Sequence, residues 1–245
     1  MITWDGWLKL GAMATAIGVL GGLWLTSHSL AVASRQSDVA VRTEITTRYS
    51  KAIEQIGNTN SLDVRLGGIY SLARVAHDSP DDQPTVVSVL SAFVRTHAPN
   101  NPETCTEDLS RTVPTDIQAA LTVLGTRRHD DLRVDLRHAC LRNADLHGAF
   151  LRTADISHSD LSYAVLAGAD MRQTTAQGTN FTGAYFLQAD LENAYFADCH
   201  LEHARFDIAG SSIGGGSARN LDKAAIQCGP YDSVTWPPGF VPPSR

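Results

Sequence analysis

Several signatures of catalysis and redox chemistry are missing from this 245-residue chain. None of its four cysteines forms a C-x-x-C pair, no glycine-rich loop sits between a strand and a helix, and no nucleophile elbow is present. The formal net charge is −6, the wrong sign for a protein that neutralises phosphates. These absences predict no enzymatic activity, no cofactor and no nucleic-acid partner.

Formal charge is also missing from a long stretch near the N-terminus. No residue between Leu10 and Ser34 carries a charge, and a helix of that length would reach about 37 Å, enough to cross a bilayer. Trp4, Trp7 and Trp24 lie near its ends, where indoles favour the membrane interface. The sequence therefore predicts a single-pass transmembrane anchor over residues 1–34.

A cleaved signal peptide is the main alternative, because Ala31-Val32-Ala33 forms an A-x-A site and cleavage after Ala33 would release an exported module. A buried soluble helix is a third interpretation. Four cations follow the apolar stretch: Arg35, Arg42, Arg48 and Lys51. Such cations resist export, and the positive-inside rule then predicts a cell-membrane protein with its C-terminal domain in the cytoplasm.

Small residues recur every four positions in the same stretch, at Ala14, Gly18 and Gly22. A small-x-x-x-small face lets two membrane helices approach closely, so these residues are candidates for a homo-oligomeric helix contact. The alternative is that glycine and alanine are simply frequent in membrane spans.

What the chain does contain is a strict five-residue repeat from Val134 to Ile208, fifteen units without a slip. The central position is Leu, Ile, Met or Phe in all units but one, which has Ala176, and the position two before it is always small or short. Such a unit cannot bury its apolar face alone, but four units can form one square coil of 20 residues, and coils can stack. The large residues would fill the axis, and the remaining positions would face water.

The pattern resembles the pentapeptide-repeat family, whose motif is A-(D/N)-L-x-x. The resemblance implies a mainly β fold, a right-handed quadrilateral β-helix, and says little about function. Residues 62–82 also resemble the helical segment before the repeats in a group of bacterial, chiefly actinobacterial, membrane proteins with no implied activity. A weaker likeness to HEAT helices would imply binding.

Four apolar stripes at helical spacing precede the repeat, over residues 41–124. Gly57 is expected to end the first, and Ser61 to cap the second. Pro84 falls in the first turn of the third, and Thr115 with Gln118 is spaced as a capping box for the fourth. The helices are expected to pack together and cover the open first coil, since an exposed coil edge invites association.

The predicted domains are an anchor (1–34), a helical domain and cap (35–128), a β-helix (129–228) and a Pro-rich cap (229–245). Leu221 and Ile226 return to the five-residue register, and Trp236 with Phe240 is expected to cover the bottom of the apolar axis. Within the repeat, Cys140 should face out and Cys199 in, on different sides. They are poor disulfide partners, which favours a reducing compartment.

One outward side of the coil carries an apolar strip at Val165, Ala167, Tyr185 and Leu187, with Ile208 below it. An apolar patch on a water-facing wall is a candidate protein contact surface. Two alternatives are equally open: the repeat simply tolerates scattered apolar residues at outward positions, or the strip packs against the C-terminal tail. The prediction is a non-catalytic protein-interaction scaffold whose protein partner is unknown.

Acidic residues outnumber arginines ten to five across the repeat. One alternative function follows from this, a DNA mimic that binds a type II topoisomerase, as some pentapeptide-repeat proteins do. The competing interpretation is that these carboxylates make corner hydrogen bonds. Histidines could bind a metal, since His138 and His158 should stack and His200 and His203 share a side, but no carboxylate set accompanies them and no metal site is predicted.

Overall fold

The computed structural model describes residues 42–101, 103, 105, 112–127, 132–207, 218–228 and 233–242. Contacts divide the chain into two units, Met1–Ser50 and Lys51–Arg245. The described part of the first unit is helical, and Arg48 pairs there with Glu44 one turn earlier. The second unit contains three complete helices and the repeat.

Four helices precede the coil, as the apolar stripes predict. Helix α1 occupies residues 42–56, α2 is Leu62–Asp78, α3 is Gln83–His97 and α4 is Thr115–Gly125, with a 3₁₀ turn at Pro80–Asp82. Helix α1 ends before Gly57, and the Ser61 side chain accepts a hydrogen bond from the Val64 amide at the start of α2. The prediction of a capping box at α4 is wrong. The N-cap residue of this helix is Pro114, which makes no side-chain hydrogen bond, and the Gln118 side chain pairs with the coil instead.

Helices α2, α3 and α4 contact one another and form what we call the helical cap. The end of α1 crosses α2 at Gly68, where a Cβ atom would lie 2.7 Å from Ile56 Cγ2 and 2.8 Å from the Ala52 carbonyl oxygen. Only glycine permits this approach. An ion pair ties α2 to α4, since Arg65 Nε lies 2.7 Å from the Asp116 carboxylate.

The five-residue repeat forms a four-sided coil in which residues 20 apart pair in parallel. Three of these pairings lengthen into short strands: β1 (Thr175–Gln177), β2 (Tyr195–Ala197) and β3 (Ala225–Gln227), in the order β1-β2-β3. The last position of each unit from His138 to His203 has a positive φ, between 52° and 69°. That left-handed residue turns the chain through each corner.

The predicted axis is confirmed. Every central residue from Leu136 to Phe206 is at most 3% exposed, and the short residues two before them are at most 7% exposed. Where the short residue is Ser159, Thr174 or Thr179, its hydroxyl donates a hydrogen bond to a backbone carbonyl 23 residues earlier. These buried hydroxyls are therefore paired.

Water does not reach all the remaining positions, contrary to the expectation. Ser157, Ser162 and Asp207, each one residue after a central residue, are 7%, 1% and 4% exposed. Neighbouring coils lie only one strand spacing apart, about 4.8 Å, so a long side chain covers a short one above or below it. The repeat register tells which way a side chain points but not whether a neighbour covers it.

The helical cap covers the first coil, as predicted. It supplies a partner to each of four ladder positions: Arg95 to Asp135, Ala98 to Cys140, Gln118 to Asp145 and Gly125 to Phe150. Gln118 replaces a missing strand, because its amide nitrogen donates to the Asp145 carbonyl at 2.7 Å while its amide oxygen accepts from the Asp145 N–H at 3.0 Å. The helical cap therefore pairs with at least one backbone group of the first coil at each of these positions.

The lower end is closed by the tail. Arg219, Ala225 and Thr235 continue the ladder below Asp190, Tyr195 and Arg205. Trp236 stacks on Phe206 at 4.8 Å between ring centroids, and Phe240 contacts Trp236 at 5.1 Å, which confirms their predicted place below the axis.

All four cysteines are paired, Cys105 with Cys140 and Cys199 with Cys228. Cys140 and Cys199 do not pair with each other, as predicted, but each reaches a cysteine outside the fifteen units. The inference of a reducing compartment therefore loses its basis. Sequence reasoning missed both bridges because Cys105 lies in a segment without the five-residue register and Cys228 lies beyond the insert that interrupts the repeat.

Within the part of the chain that the structure describes, no helix is both long enough and apolar enough to cross a membrane. The predicted anchor over 1–34 lies outside the described residues, as do Ala14, Gly18 and Gly22.

Candidate interaction surface

The apolar strip forms on one side of the coil, where Asp145, Val165, Tyr185, Arg205 and Thr235 pair in sequence down the ladder. Val165 and Tyr185 are direct neighbours in adjacent coils. Ala167 and Leu187 follow them two residues later on the same side. The structure thus brings together the four apolar residues named from the sequence, while Ile208 lies outside the described residues.

The strip is half-buried, and all four of its side chains are in the intermediate range of exposure. The guanidinium of Arg205 lies 5.5 Å from the centre of the Tyr185 ring, a cation–π distance. Asp145 and His147 lie above the strip and are exposed. The described tail contacts residues 203–206 through Ser233, Thr235 and Trp236, and Thr235 pairs with Arg205 on the same side of the coil as the strip.

Most aspartates of the coil accept hydrogen bonds from its backbone. The side chains of seven residues in the second position of the motif accept from the amide two residues ahead: Asp135, Asp145, Asp155, Asp160, Asp170, Asn180 and Asp190. This confirms the corner role for Asp and Asn.

Arginines pair with several of the same carboxylates. The side-chain hydrogen bond from Arg137, helped by Arg95, lowers the pKa of Asp135 to about 2. For Asp170, burial alone would raise the pKa, but hydrogen bonds from Arg172 outweigh burial and lower it. Asp160 pairs with Arg142 at 3.0 Å. These carboxylates do not form an open acidic surface, which weakens the case for a DNA-like face.

The predicted stacking of His138 on His158 is confirmed. The rings of His138 and His158 stack with centroids 5.1 Å apart and planes at 11°. Gly178 follows in the next coil, where a Cβ would meet His158 Nδ1 at 2.6 Å. Among the described residues no group of three or more His, Cys, Asp and Glu side chains is placed to hold a metal ion.

Tyr195 is an exposed aromatic that the sequence reasoning left out. It is 41% exposed in β2, on the side of the coil opposite the strip. The signal was available, because Tyr195 occupies the same place in its pentapeptide as Tyr185. Leu62 and Tyr70 of α2 are also exposed, at 40% and 56%. Leu62 belongs to the apolar stripe predicted for this helix, whereas Tyr70 does not.

The fold defines a class: a four-sided parallel β-helix of 20-residue coils. Its repeats match the family described as Pentapeptide repeats, in eight copies over residues 135–173, 151–186 and 177–207. The coil is thus built of pentapeptide repeats. No curated protein matches the chain as a whole.

Several solved structures contain a similar segment. HetL, involved in heterocyst differentiation regulation in the cyanobacterium Nostoc sp. strain PCC 7120, is 25% identical over 47% of this chain and 46% of its own, with a TM-score of 0.28. A pentapeptide repeat protein of the cyanobacterium Cyanothece 51142 is 22% identical over 53% and 79%, with a TM-score of 0.26. QnrB1, a plasmid-mediated fluoroquinolone resistance protein, is 19% identical over 40% and 58%, with a TM-score of 0.19. This chain spans less than half the length of HetL, and likeness at these scores carries no argument about function.

Proposed function

We propose that this protein is a non-catalytic interaction scaffold whose binding surface is the apolar strip, held at a membrane by its N-terminal segment. The observation that carries the proposal is the stacking of Val165 on Tyr185 in adjacent coils, with Ala167 and Leu187 beside them. The repeat uses its central and short residues for the axis, so bulk at these outward positions is not needed by the coil. Half-buried aromatic and aliphatic groups with charges at the rim are what protein interfaces use.

The direct test replaces Val165, Tyr185 and Leu187 together with serine in the full chain, expressed in its native cells. A photo-crosslinking amino acid at Ala167 then reports what touches the strip in the native membrane. Loss of the crosslinked product in the triple variant, with an unchanged melting temperature, supports the proposal. Tyr195→Ser is the matched control, since it removes an exposed tyrosine from another side and should leave the crosslink intact.

If the crosslinked product still forms in the triple variant, the strip is not the binding surface. A lower melting temperature would instead show that the strip is part of the structural packing. If the crosslinked product is a second copy of this chain, the scaffold is a homo-oligomer through this face, which analytical ultracentrifugation would show independently.

Two observations point to opposite compartments for the folded domain. The cations after residue 34 favour the cytoplasmic side. The two disulfides favour an oxidising compartment, because cytosolic thiols are kept reduced. This second observation supports the alternative of an exported binding module. Mass spectrometry of the native N-terminus separates the alternatives, since a chain that begins at Ser34 has been cleaved and exported.

A further inference from the structure

We propose that the helical cap binds a small neutral molecule with an apolar body, about the size of one substituted ring, and a single hydrogen-bonding group. The site is a cavity of about 240 Å³ between α2, α3 and α4. It is separate from the apolar strip on the coil, so the proposal is independent of the proposed interaction surface.

The walls of the cavity are mainly aliphatic. They come from three helices: Ala73 and Ala76 of α2, Val86, Val87 and Leu90 of α3, and Val123 and Leu124 of α4. A cavity of about 150 Å³ with such walls is known to hold a benzene ring, and pockets for drug-sized ligands start near 300 Å³. A volume between these limits suits one ring with one or two substituents.

One buried polar group in this wall has no protein partner. Gln83 is 7% exposed, and its amide oxygen is buried without a hydrogen bond. Buried polar groups in folded proteins are nearly always paired, and leaving one unpaired is unfavourable. That oxygen has almost no accessible surface, so the carboxamide has to turn toward the cavity for a ligand to pair with it. Its oxygen and nitrogen can exchange places, so the group offers either an acceptor or a donor. A hydroxyl, which both donates and accepts, fits either orientation.

The charged residues at the cavity are already engaged, which favours a neutral ligand. Arg127 is 8% exposed and donates to backbone oxygens, including those of Leu124 at 3.0 Å and Arg152 at 3.1 Å. The ring of His77 lies 3.2 Å from the Asp78 carboxylate. An anionic ligand would have to compete with these backbone carbonyls for the guanidinium, and a cation would meet Arg127.

The experiment compares two probes of equal size, p-cresol and p-xylene, which differ only in a hydroxyl in place of a methyl group. Each is titrated against the full chain in nanodiscs by ligand-observed NMR, with empty nanodiscs subtracted. We expect p-cresol to bind roughly three- to tenfold more tightly, the range of one net hydrogen bond. Gln83→Met keeps the shape but removes the amide, and should abolish that preference while p-xylene still binds.

Filling the cavity should remove both probes. Ala76→Leu does this from α2, and Val123→Phe repeats it from α4 in case the first variant fails to fold, which circular dichroism would show. Thr85→Met, on the exposed side of α3, is the control and should bind both probes as the unchanged chain does. The proposal is overturned if neither probe binds, which would leave the site to water. Equal affinity for the two probes, or binding of p-cresol that survives both filling variants, would overturn it too.

Discussion

The coil and the helical cap are stabilised in different ways. In the coil the same environment returns every five residues, so the place of a residue in its pentapeptide largely decides what surrounds it. In the cap each contact occurs once, as where Gly68 meets Ile56 or where Arg65 meets Asp116. A substitution in the coil can therefore be judged from the repeat, whereas one in the cap has to be judged from its own neighbours.

The largest expected effect is in the axis of the coil. Leu161 is fully buried, and Leu161→Asp would place a carboxylate there without a partner. The loss in the free energy of unfolding should be about 5 kcal/mol or more, enough to unfold the coil. Gln188→Asp is the control. Gln188 is the exposed last residue of its pentapeptide, with a positive φ, and two pentapeptides later an aspartate, Asp198, occupies the equivalent position. Equal urea midpoints for the two variants would refute the five-residue register.

Removal of the disulfides comes next. Cys199 and Cys228 are 29 residues apart, and Cys105 and Cys140 are 35 apart. Loop entropy alone assigns about 3–4 kcal/mol to each bridge. Changing either pair to alanine should lower the free energy of unfolding by about that amount, measured in urea. Reductant on the unchanged chain opens both bridges and should lower it further. If reductant leaves the urea unfolding of the unchanged chain the same, the bridges are not formed.

A paired glycine test addresses the cap. Gly68→Ala should cost about 1–3 kcal/mol, since its Cβ would press on the backbone of α1. Gly67→Ala, one residue earlier, has nothing within 4 Å of the added carbon and should stabilise α2 by up to about 1 kcal/mol. Opposite signs in thermal melts would establish the close crossing of α1 and α2. Equal shifts would count against it.

The smallest effect concerns pH where the cap meets the coil. The pKa of Asp135 is about 2 in the folded protein because of Arg137 and Arg95, against an ordinary value of 3.8. A lowered pKa contributes stability that is present above pH 4 and is lost as the pH falls toward 2. Asp135→Asn should therefore flatten the dependence of melting temperature on pH within that window. A variant with the unchanged slope would exclude Asp135 as its source.

Prediction from sequence succeeded where a local rule repeats. The axial residues, the corner role of Asp and the stacking of His138 on His158 all follow from counting in fives and twenties. It failed where the decisive neighbour is distant or irregular. Ser162 looked exposed and is buried by adjacent coils, and Gln118 looked like a helix cap but pairs with Asp145 of the first coil.

The amino-acid sequence by itself determined the coil, because a strict five-residue alternation of one large and one short apolar residue buries its surface in only one kind of stack. Tertiary structure alone decided how that stack is closed. Gly125 and Gln118 complete the upper ladder, Trp236 covers Phe206 below, and the partners of Cys140 and Cys199 come from outside the fifteen repeat units. The physical reason is that an edge or a thiol accepts any well-placed partner, and its placement depends on the whole folded chain.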